Sequence, residues 1–149
     1  MRVRAPLFLV LSCSLAACAD VPRPTAPERD DPVLLEVEVV APVMNEILIA
    51  GRTSPVNVRA REAGGRVHGV GFVARAAGGG ATTAVDSALA EVGPLADTTI
   101  AFQLRLPPTL PNGIQVDIYG FALGPTGQST FSAPRHVRAY VCPPGAAWC

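Results

Sequence analysis

The C-terminal cysteines Cys142 and Cys149 are residues whose type and spacing could support chemistry. Six residues separate them, which is not the Cys-x-x-Cys spacing of redox catalysts. In an oxidising compartment such a pair forms a short disulfide, with a pair of free thiols as the alternative. We therefore predict a Cys142–Cys149 bridge that pins the tail at 142–149 and has no catalytic role.

The two histidines, His68 and His136, are further candidates for acid–base chemistry or metal binding. They lie far apart in sequence, each at the beginning of a predicted strand. The sequence contains no nucleophile elbow, no HExxH motif and no phosphate-binding loop. We therefore predict no catalytic residue, no metal site and no cofactor. A small hydrolase stays open as an alternative, because a catalytic triad forms in space rather than in sequence.

A set of aromatic and polar residues near the C-terminus could instead form a binding face. Side chains alternate between the two faces of a strand, so an apolar core set turns its neighbours outward. The outward set comprises Tyr119, Phe121, His136, Arg138 and Tyr140. Aromatic rings together with arginine suit contact with carbohydrate or protein. Two alternatives stay open: the rings only stabilise cross-strand pairs, or Phe121 rotates inward near the turn.

These residues belong to the segment Ile114–Val141, which the pattern predicts to be a β-hairpin. Apolar and polar residues alternate from Ile114 to Ala122, turn residues follow at 124–127, and a second alternating run ends at Val141. A hairpin cannot bury its apolar face alone. The rest of the chain must therefore supply a second sheet.

Further strands of the same kind precede the hairpin. Period-two alternation predicts strands near 33–40, 56–60, 67–74 and 100–106. The segment 82–92 is ambiguous, because helical spacing with Thr83 as a cap competes with the surrounding all-β pattern. We favour a strand there, with a short helix as the alternative. About seven strands at this spacing predict an all-β fold of the sandwich type.

Charged residues on two of these strands predict that the strands are neighbours. Glu36 and Glu38 alternate with the apolar residues of the first strand, and Arg59 and Arg61 do so in the second. Opposite charges that face each other across strands contribute about 0.2 to 1 kcal/mol per pair. We therefore interpret the arginines as sheet-surface partners rather than as a ligand site. Pro42 ends the first strand, as an edge strand or a switch between sheets allows.

The N-terminus has the layout of an export signal. Two arginines precede a short apolar core at 7–11, and small residues lead to Cys18. The apolar run is too short to span a bilayer as a permanent helix. Leu15-Ala16-Ala17-Cys18 resembles the lipobox of bacterial lipoproteins. An ordinary signal cleavage, with Cys18 incidental, is the alternative.

The lipobox resemblance implies a signal peptide at 1–17 and a diacylglycerol on Cys18, usually with an acylated amino group. Each buried methylene contributes about 0.8 kcal/mol, so several acyl chains hold a protein durably at a membrane surface. Ala19 follows the cysteine where an Asp would favour inner-membrane retention, so outer-membrane delivery is expected. The proline-rich segment 18–32 is predicted to be an extended tether.

Length and charge bound the remaining possibilities. The chain has 149 residues, which suffices for one ordinary domain. It carries 12 basic and 12 acidic residues, and removal of the signal peptide takes two arginines away. The domain is therefore weakly acidic, and nothing in its charge favours a nucleic-acid partner.

The predicted domain at 33–141 resembles the bacterial immunoglobulin-like and fibronectin type III-like modules. Four segments carry the resemblance: Val37-x-Val39-x-x-Pro42, Val56-x-Val58-x-Ala60, Leu104-x-Leu106-Pro107 and Ala122-x-Gly124-x-x-Gly127-Gln128-x-Thr130. Many such modules have Asp and Asn where this chain has Gly124 and Gln128, and the departure removes a calcium-ligating carboxylate. The resemblance implies an immunoglobulin-like β-sandwich.

The predicted export signal and the predicted fold together indicate a lipid-anchored, non-catalytic module of the cell envelope that contacts a protein or a glycan. The alternative is a structural spacer or an accessory subunit of an envelope complex. Modules of this fold serve many functions, so the sequence does not separate these two.

Overall fold

The computed structural model of the chain describes residues 35–64, 66–78, 81–143 and 145, which lie in the unit Pro32–Cys149. The predicted signal peptide, lipidation site and tether lie outside these residues, and so does Cys149. The Cys142–Cys149 bridge therefore stays a prediction. No helix within the described ranges is long and apolar enough to cross a membrane.

Strands form the whole regular structure of the described residues. They are β1 (Glu36–Ala41), β2 (Ile47–Ile49), β3 (Thr53–Arg61), β4 (Val67–Gly78), β5 (Ala81–Leu95), β6 (Asp97–Arg105), β7 (Ile114–Leu123), β8 (Ser129–Phe131) and β9 (Arg135–Tyr140).

The strands form two sheets. The smaller sheet has the order β1-β3-β6, and the larger has the order β2-β9-β7-β4-β5 with β8 paired to β7. All pairings are antiparallel except that of β2 with β9. Repeated crossing between two packed sheets is the arrangement of an immunoglobulin-like β-sandwich. The predicted fold class is confirmed.

The core lies between the two sheets and follows the period-two alternation of the strands. The Phe72 ring of the larger sheet packs on the Phe102 ring of the smaller one, with centroids 5.5 Å apart. At Gly120 the sheets approach so closely that a Cβ atom would lie 2.8 Å from Val58 Cγ1. The largest fully buried side chains are those of Val39, Val56, Val58, Val67, Val70, Phe72, Leu104, Leu106, Val116, Ile118 and Val137.

The chain changes sheets at Pro42, which is one of the two possibilities that the proline after the first strand left open. β1 ends at Ala41, the Ala41–Pro42 bond is cis, and the chain then forms β2 in the larger sheet. A proline has no N–H to donate to a strand ladder, which explains why the ladder of β1 stops there.

The ambiguous segment 82–92 is part of a strand, and the helix alternative is wrong. β5 pairs with β4 along its length, with Ala88 opposite Phe72 and Leu89 opposite Gly71. Ala88, Ala90 and Val92 pack against the core from one face. Pairing with a strand distant in sequence therefore overrides the local helical spacing.

The described residues contain nine strands rather than about seven. β2 has three residues, which is too short to show a period. The predicted second strand of the hairpin is divided into β8 and β9. Ser132 still exchanges hydrogen bonds with Gly120, and the break comes at Pro134, which lacks an N–H.

Candidate functional site

The five predicted binding residues all lie on the outer face of the larger sheet. Their strand neighbours Ile118, Ala122, Val137 and Ala139 are buried in the core, so alternation turns the five outward. Tyr119, Phe121, His136 and Tyr140 are half-buried, and Arg138 is exposed. The orientation that the sequence predicted is the one observed.

A shallow depression of about 320 Å³ lies on this face, between β4, β7 and the end of β8. Val73, Arg75, Tyr119, Phe131 and Ser132 line it. The guanidinium carbon of Arg75 lies 6.0 Å from the centroid of the Tyr119 ring, at the outer limit of a cation–π contact. The depression therefore combines two rings and a cation, and Tyr119 is its one residue from the predicted set.

Phe121 has a packing role beside the depression. Its ring lies 5.6 Å from that of Phe131, at an angle of 39° between the planes. It also covers Gly71 on β4, where any Cβ atom would collide with it. Phe121 thus stabilises a cross-strand cluster, whereas Phe131 is 57% exposed. The alternative that Phe121 rotates inward is wrong.

His136 belongs to a separate polar group on the same face. Its Nδ1 lies 2.7 Å from Asp117 Oδ1, which also accepts a hydrogen bond from Nε2 of Gln115 at 2.8 Å. Asp117 and His136 are directly opposite each other in the pairing of β7 with β9. The carboxylate therefore orients the imidazole, and the Gln115 amide fixes the carboxylate.

Arg138 and Tyr140 lie at the β2 side of the face and do not line the depression. Arg138 is opposite Gln115 on one side and Ile47 on the other, and Tyr140 is opposite Ile49. The face that the sequence predicted as one set is thus divided into an aromatic depression, a polar group at His136 and this third region.

Four residues of the depression were missing from the predicted set. Val73 and Arg75 alternate with the inward residues Phe72 and Ala74, so the sequence contained a signal for their outward direction. Their position beside Tyr119 depends on the register of β4 against β7, in which Val73 is opposite Tyr119. A register between distant strands has no local signal.

The acidic and basic residues of the smaller sheet lie on neighbouring strands, as predicted, but the arginines bind a carboxylate other than the two that were predicted. Glu36 is opposite Arg61 and Glu38 is opposite Arg59. Both arginines nevertheless bind Asp97, with Arg59 Nη2 at 2.6 Å and Arg61 Nε at 3.1 Å from Asp97 Oδ2. The same alternation that brings the arginines to this face brings Asp97 from β6, directly opposite Arg61.

Hydrogen bonding shifts the pKa values of both members of this ion pair. The bond to Asp97 raises the pKa of Arg59 above its ordinary value, and the bond to Arg59 lowers the pKa of Asp97 below 3.8. The groove beside them, lined by Glu36, Glu38 and both arginines, therefore has its cations already engaged. This supports the interpretation of Arg59 and Arg61 as surface partners.

The turn that resembles a calcium loop is closed by its own polar groups. Gly124 N–H donates to the Gln128 carbonyl at 2.9 Å, and Thr126 N–H donates to Gln128 Oε1 at 3.1 Å. The Gln128 side chain covers Gly124, where a Cβ atom would collide with it. Among the described residues, no group of three His, Cys, Asp or Glu side chains is placed to hold a metal ion.

The chain was compared with family models, with curated proteins and with solved structures. No protein-family model matches it, and no curated protein does. It is similar to the fibronectin(III)-like modules of Clostridium thermocellum CbhA, with 18% identity over 72% of this chain and 99% of that one, at a TM-score of 0.45. It is also similar to a Niemann-Pick type C2 protein from the Japanese carpenter ant, with 8% identity over 70% and 88% of the two chains, at a TM-score of 0.45. The fold assignment rests on the strand order of this chain.

Proposed function

We propose that the chain is an exported, lipid-anchored and non-catalytic module that contacts a protein or a glycan of the cell envelope through the outer face of its larger sheet. The observation that carries the proposal is the aromatic depression formed by Val73, Arg75, Tyr119, Phe131 and Ser132. The half-buried Tyr119 ring, the exposed Phe131 ring, a cation and a hydroxyl group converge there.

The chemistry of the depression suits recognition by contact. Tyrosine and phenylalanine rings supply apolar area with few rotatable bonds, and arginine supplies several donors in a planar group. Such residues carry much of the binding energy in protein interfaces, and aromatic faces also pack against sugar rings. Ser132 bonds to the backbone of Gly120 and Ala133, so the floor of the depression is held by the sheet itself.

The N-terminal segment supplies the proposed location. Cleavage before Cys18 and acylation of its thiol and amino group would hold the sandwich at the membrane, with the outer membrane favoured by Ala19. The proline-rich segment 18–32 would extend away from the surface and present the domain to other envelope components.

Binding to separated envelope components tests the proposal. Full-length protein in detergent is mixed with the isolated envelope glycan and, separately, with solubilised envelope proteins, and bound protein is measured against concentration. Tyr119→Ser and Phe131→Ser are each expected to weaken binding at least about tenfold, or about 1.4 kcal/mol. Tyr140→Ser and Leu95→Ser are the matched controls, because both residues lie outside the depression.

Each arm has a distinct meaning. Saturable binding to one component identifies the class of ligand, and its loss in the two depression variants alone assigns the site. Binding of Tyr119→Ser and Phe131→Ser with the same affinity as the two control variants would contradict the proposal. If the protein is retained in an envelope complex and none of the four substitutions changes this retention, the protein behaves as a structural spacer or accessory subunit.

A further inference from the structure

β5 forms a long edge of the larger sheet. It comprises the 15 residues Ala81–Leu95, and within the described part of the chain it pairs along one side only, with β4. Edge strands expose unpaired N–H and C=O groups, and proteins commonly block them with lysine, proline or a short strand. The segment 87–92, Ser-Ala-Leu-Ala-Glu-Val, has neither lysine nor proline, and Glu91 is its one charged residue.

The direction of the free backbone groups follows from Asp86. Its Oδ1 accepts the N–H of Ser87 at 2.9 Å, and its Oδ2 accepts the N–H of Arg105 on β6 at 2.6 Å. Because a side chain binds the Ser87 amide, that amide points away from β4. Amide direction alternates along a strand, so the backbone groups of Leu89 and Glu91 also point to the open edge.

We propose that two copies of the chain pair antiparallel through β5, about a two-fold axis at Leu89. In this register Leu89 is opposite Leu89 of the second copy, and Ser87 is opposite Glu91. The two Leu89 residues exchange backbone bonds, and each Glu91 N–H donates to a Ser87 carbonyl. Pairing turns the Glu91 carbonyl of the second copy toward the Ser87 amide, so that amide exchanges its bond to Asp86 Oδ1 for a bond to this carbonyl, while Asp86 Oδ2 keeps the Arg105 amide.

Charge and side-chain direction select this register. Asp86 lies opposite Val92, and Glu91 lies opposite Ser87, so no carboxylate faces another across the axis. A shift of the pairing by one residue in either direction would turn one copy's side chains to the other face of the sheet, and in one of the two directions it would also place Asp86 directly opposite Glu91. Like charges directly opposite each other destabilise a pair of strands.

The pairing also covers an exposed apolar side chain. Leu89 is 51% exposed and lies opposite Gly71 on the outer face, where the Phe121 ring covers the glycine. Two Leu89 side chains at the axis would join the aromatic cluster of one copy to that of the other. A ladder this short buries less area than a stable dimer requires, so the dimer is expected to depend on concentration.

Disulfide trapping tests the proposal on the full-length protein in detergent. Opposing residues in a hydrogen-bonded antiparallel pair have Cα atoms about 5.5 Å apart, which a disulfide can bridge. Leu89→Cys is expected to form a covalent dimer at least about tenfold faster than Ala101→Cys, an exposed site on edge strand β6, at equal concentration. The unsubstituted protein gives the background rate of covalent dimer formation through the chain's own cysteines.

A mixed experiment tests the register and does not depend on Leu89. Ser87→Cys mixed with Glu91→Cys is expected to cross-link faster than either variant alone, because the two residues are opposite each other across the axis. Trapping of Leu89→Cys no faster than the Ala101→Cys control, or a mixture no faster than its separate components, would overturn the proposal.

Discussion

Gly71 and Phe121 show how a single glycine shapes the outer face. The Phe121 ring lies over the Gly71 backbone, and the Ala88 carbonyl oxygen closes the space from the side of β5, 2.5 Å from where a Cβ atom would be. Alternation predicted that Phe121 points outward, but it could not predict where the ring comes to rest. The resting place depends on the absence of a side chain on a strand 50 positions earlier in the sequence.

Gly71→Ala tests this packing. The added methyl group would collide with the Phe121 ring and the Ala88 carbonyl, so we expect a loss of about 1–3 kcal/mol in the free energy of unfolding. Gly93→Ala is the matched control, because a Cβ atom there has no neighbour within 4 Å and should change stability by about 0.5 kcal/mol or less. Chemical denaturation measures both, and equal stability of the two variants would contradict the account.

Asp97 is a second residue whose role the sequence did not reveal. The sequence pointed to Glu36 and Glu38 as partners of the arginines, since all four were predicted to lie on neighbouring strands. Asp97 begins β6 on the other side of β3, and it binds both Arg59 and Arg61. Charge patterning thus predicted the face correctly and the partner incorrectly.

The pH dependence of Asp97→Asn tests that pair. The bond to Arg59 holds the pKa of Asp97 below 3.8 in the folded protein, so the carboxylate stabilises the fold above its unfolded pKa and loses this effect as the pH falls through the folded pKa. The melting temperature of the unsubstituted protein should exceed that of Asp97→Asn at neutral pH, and the difference should shrink below about pH 4. A difference that stays constant down to pH 2 would contradict the ion-pair account.

At the scale of elements, the length and regularity of a strand decided what the sequence could predict. β3, β4, β6 and β7 each alternate over many residues, and all four were predicted. β2 has three residues, and its pairing with β9 is set by the path of the chain rather than by local pattern. β8 also has three residues, and it pairs with β7 as the predicted hairpin requires. The segment 82–92 has both periods, and only the ladder with β4 settles it.

Asp86 links the edges of the two sheets, and its substitution tests whether this link stabilises the fold. Its carboxylate accepts the N–H of Arg105, so a residue on β5 satisfies a backbone group on β6. Asp86→Ala should cost about 1 kcal/mol and speed hydrogen exchange at the Arg105 amide about fivefold. Asp86→Asn retains an acceptor and should fall between. Unchanged exchange at Arg105 in Asp86→Ala would show that the bond has no protective role.

At the scale of the whole molecule, the sequence predicted the sandwich and the outward direction of the residues proposed as a binding face. It could not predict that Arg75 joins Tyr119 and Phe131 in one depression, because β4 is distant in sequence from β7 and β8. It also treated His136 as one member of a binding set, whereas Asp117 holds it apart in a polar group. The face is a product of register, which alternation alone does not determine.

The proposed anchor adds a constraint to this surface. A tether from Cys18 would confine the sandwich to a layer near the membrane, where a partner in the same layer meets it at raised local concentration. Weak contacts, whether at the aromatic depression or between two β5 edges, are then sufficient. The proposed envelope role therefore depends on acylation of Cys18.

The intact mass of the protein, extracted from its own bacterial membranes and measured with and without reductant, tests this most directly. The account predicts a chain that begins at Cys18 and carries acyl groups, with the gain of two hydrogen atoms on reduction that a Cys142–Cys149 disulfide requires. An unlipidated mass would contradict the anchor and, with it, the role proposed for the tether at 18–32.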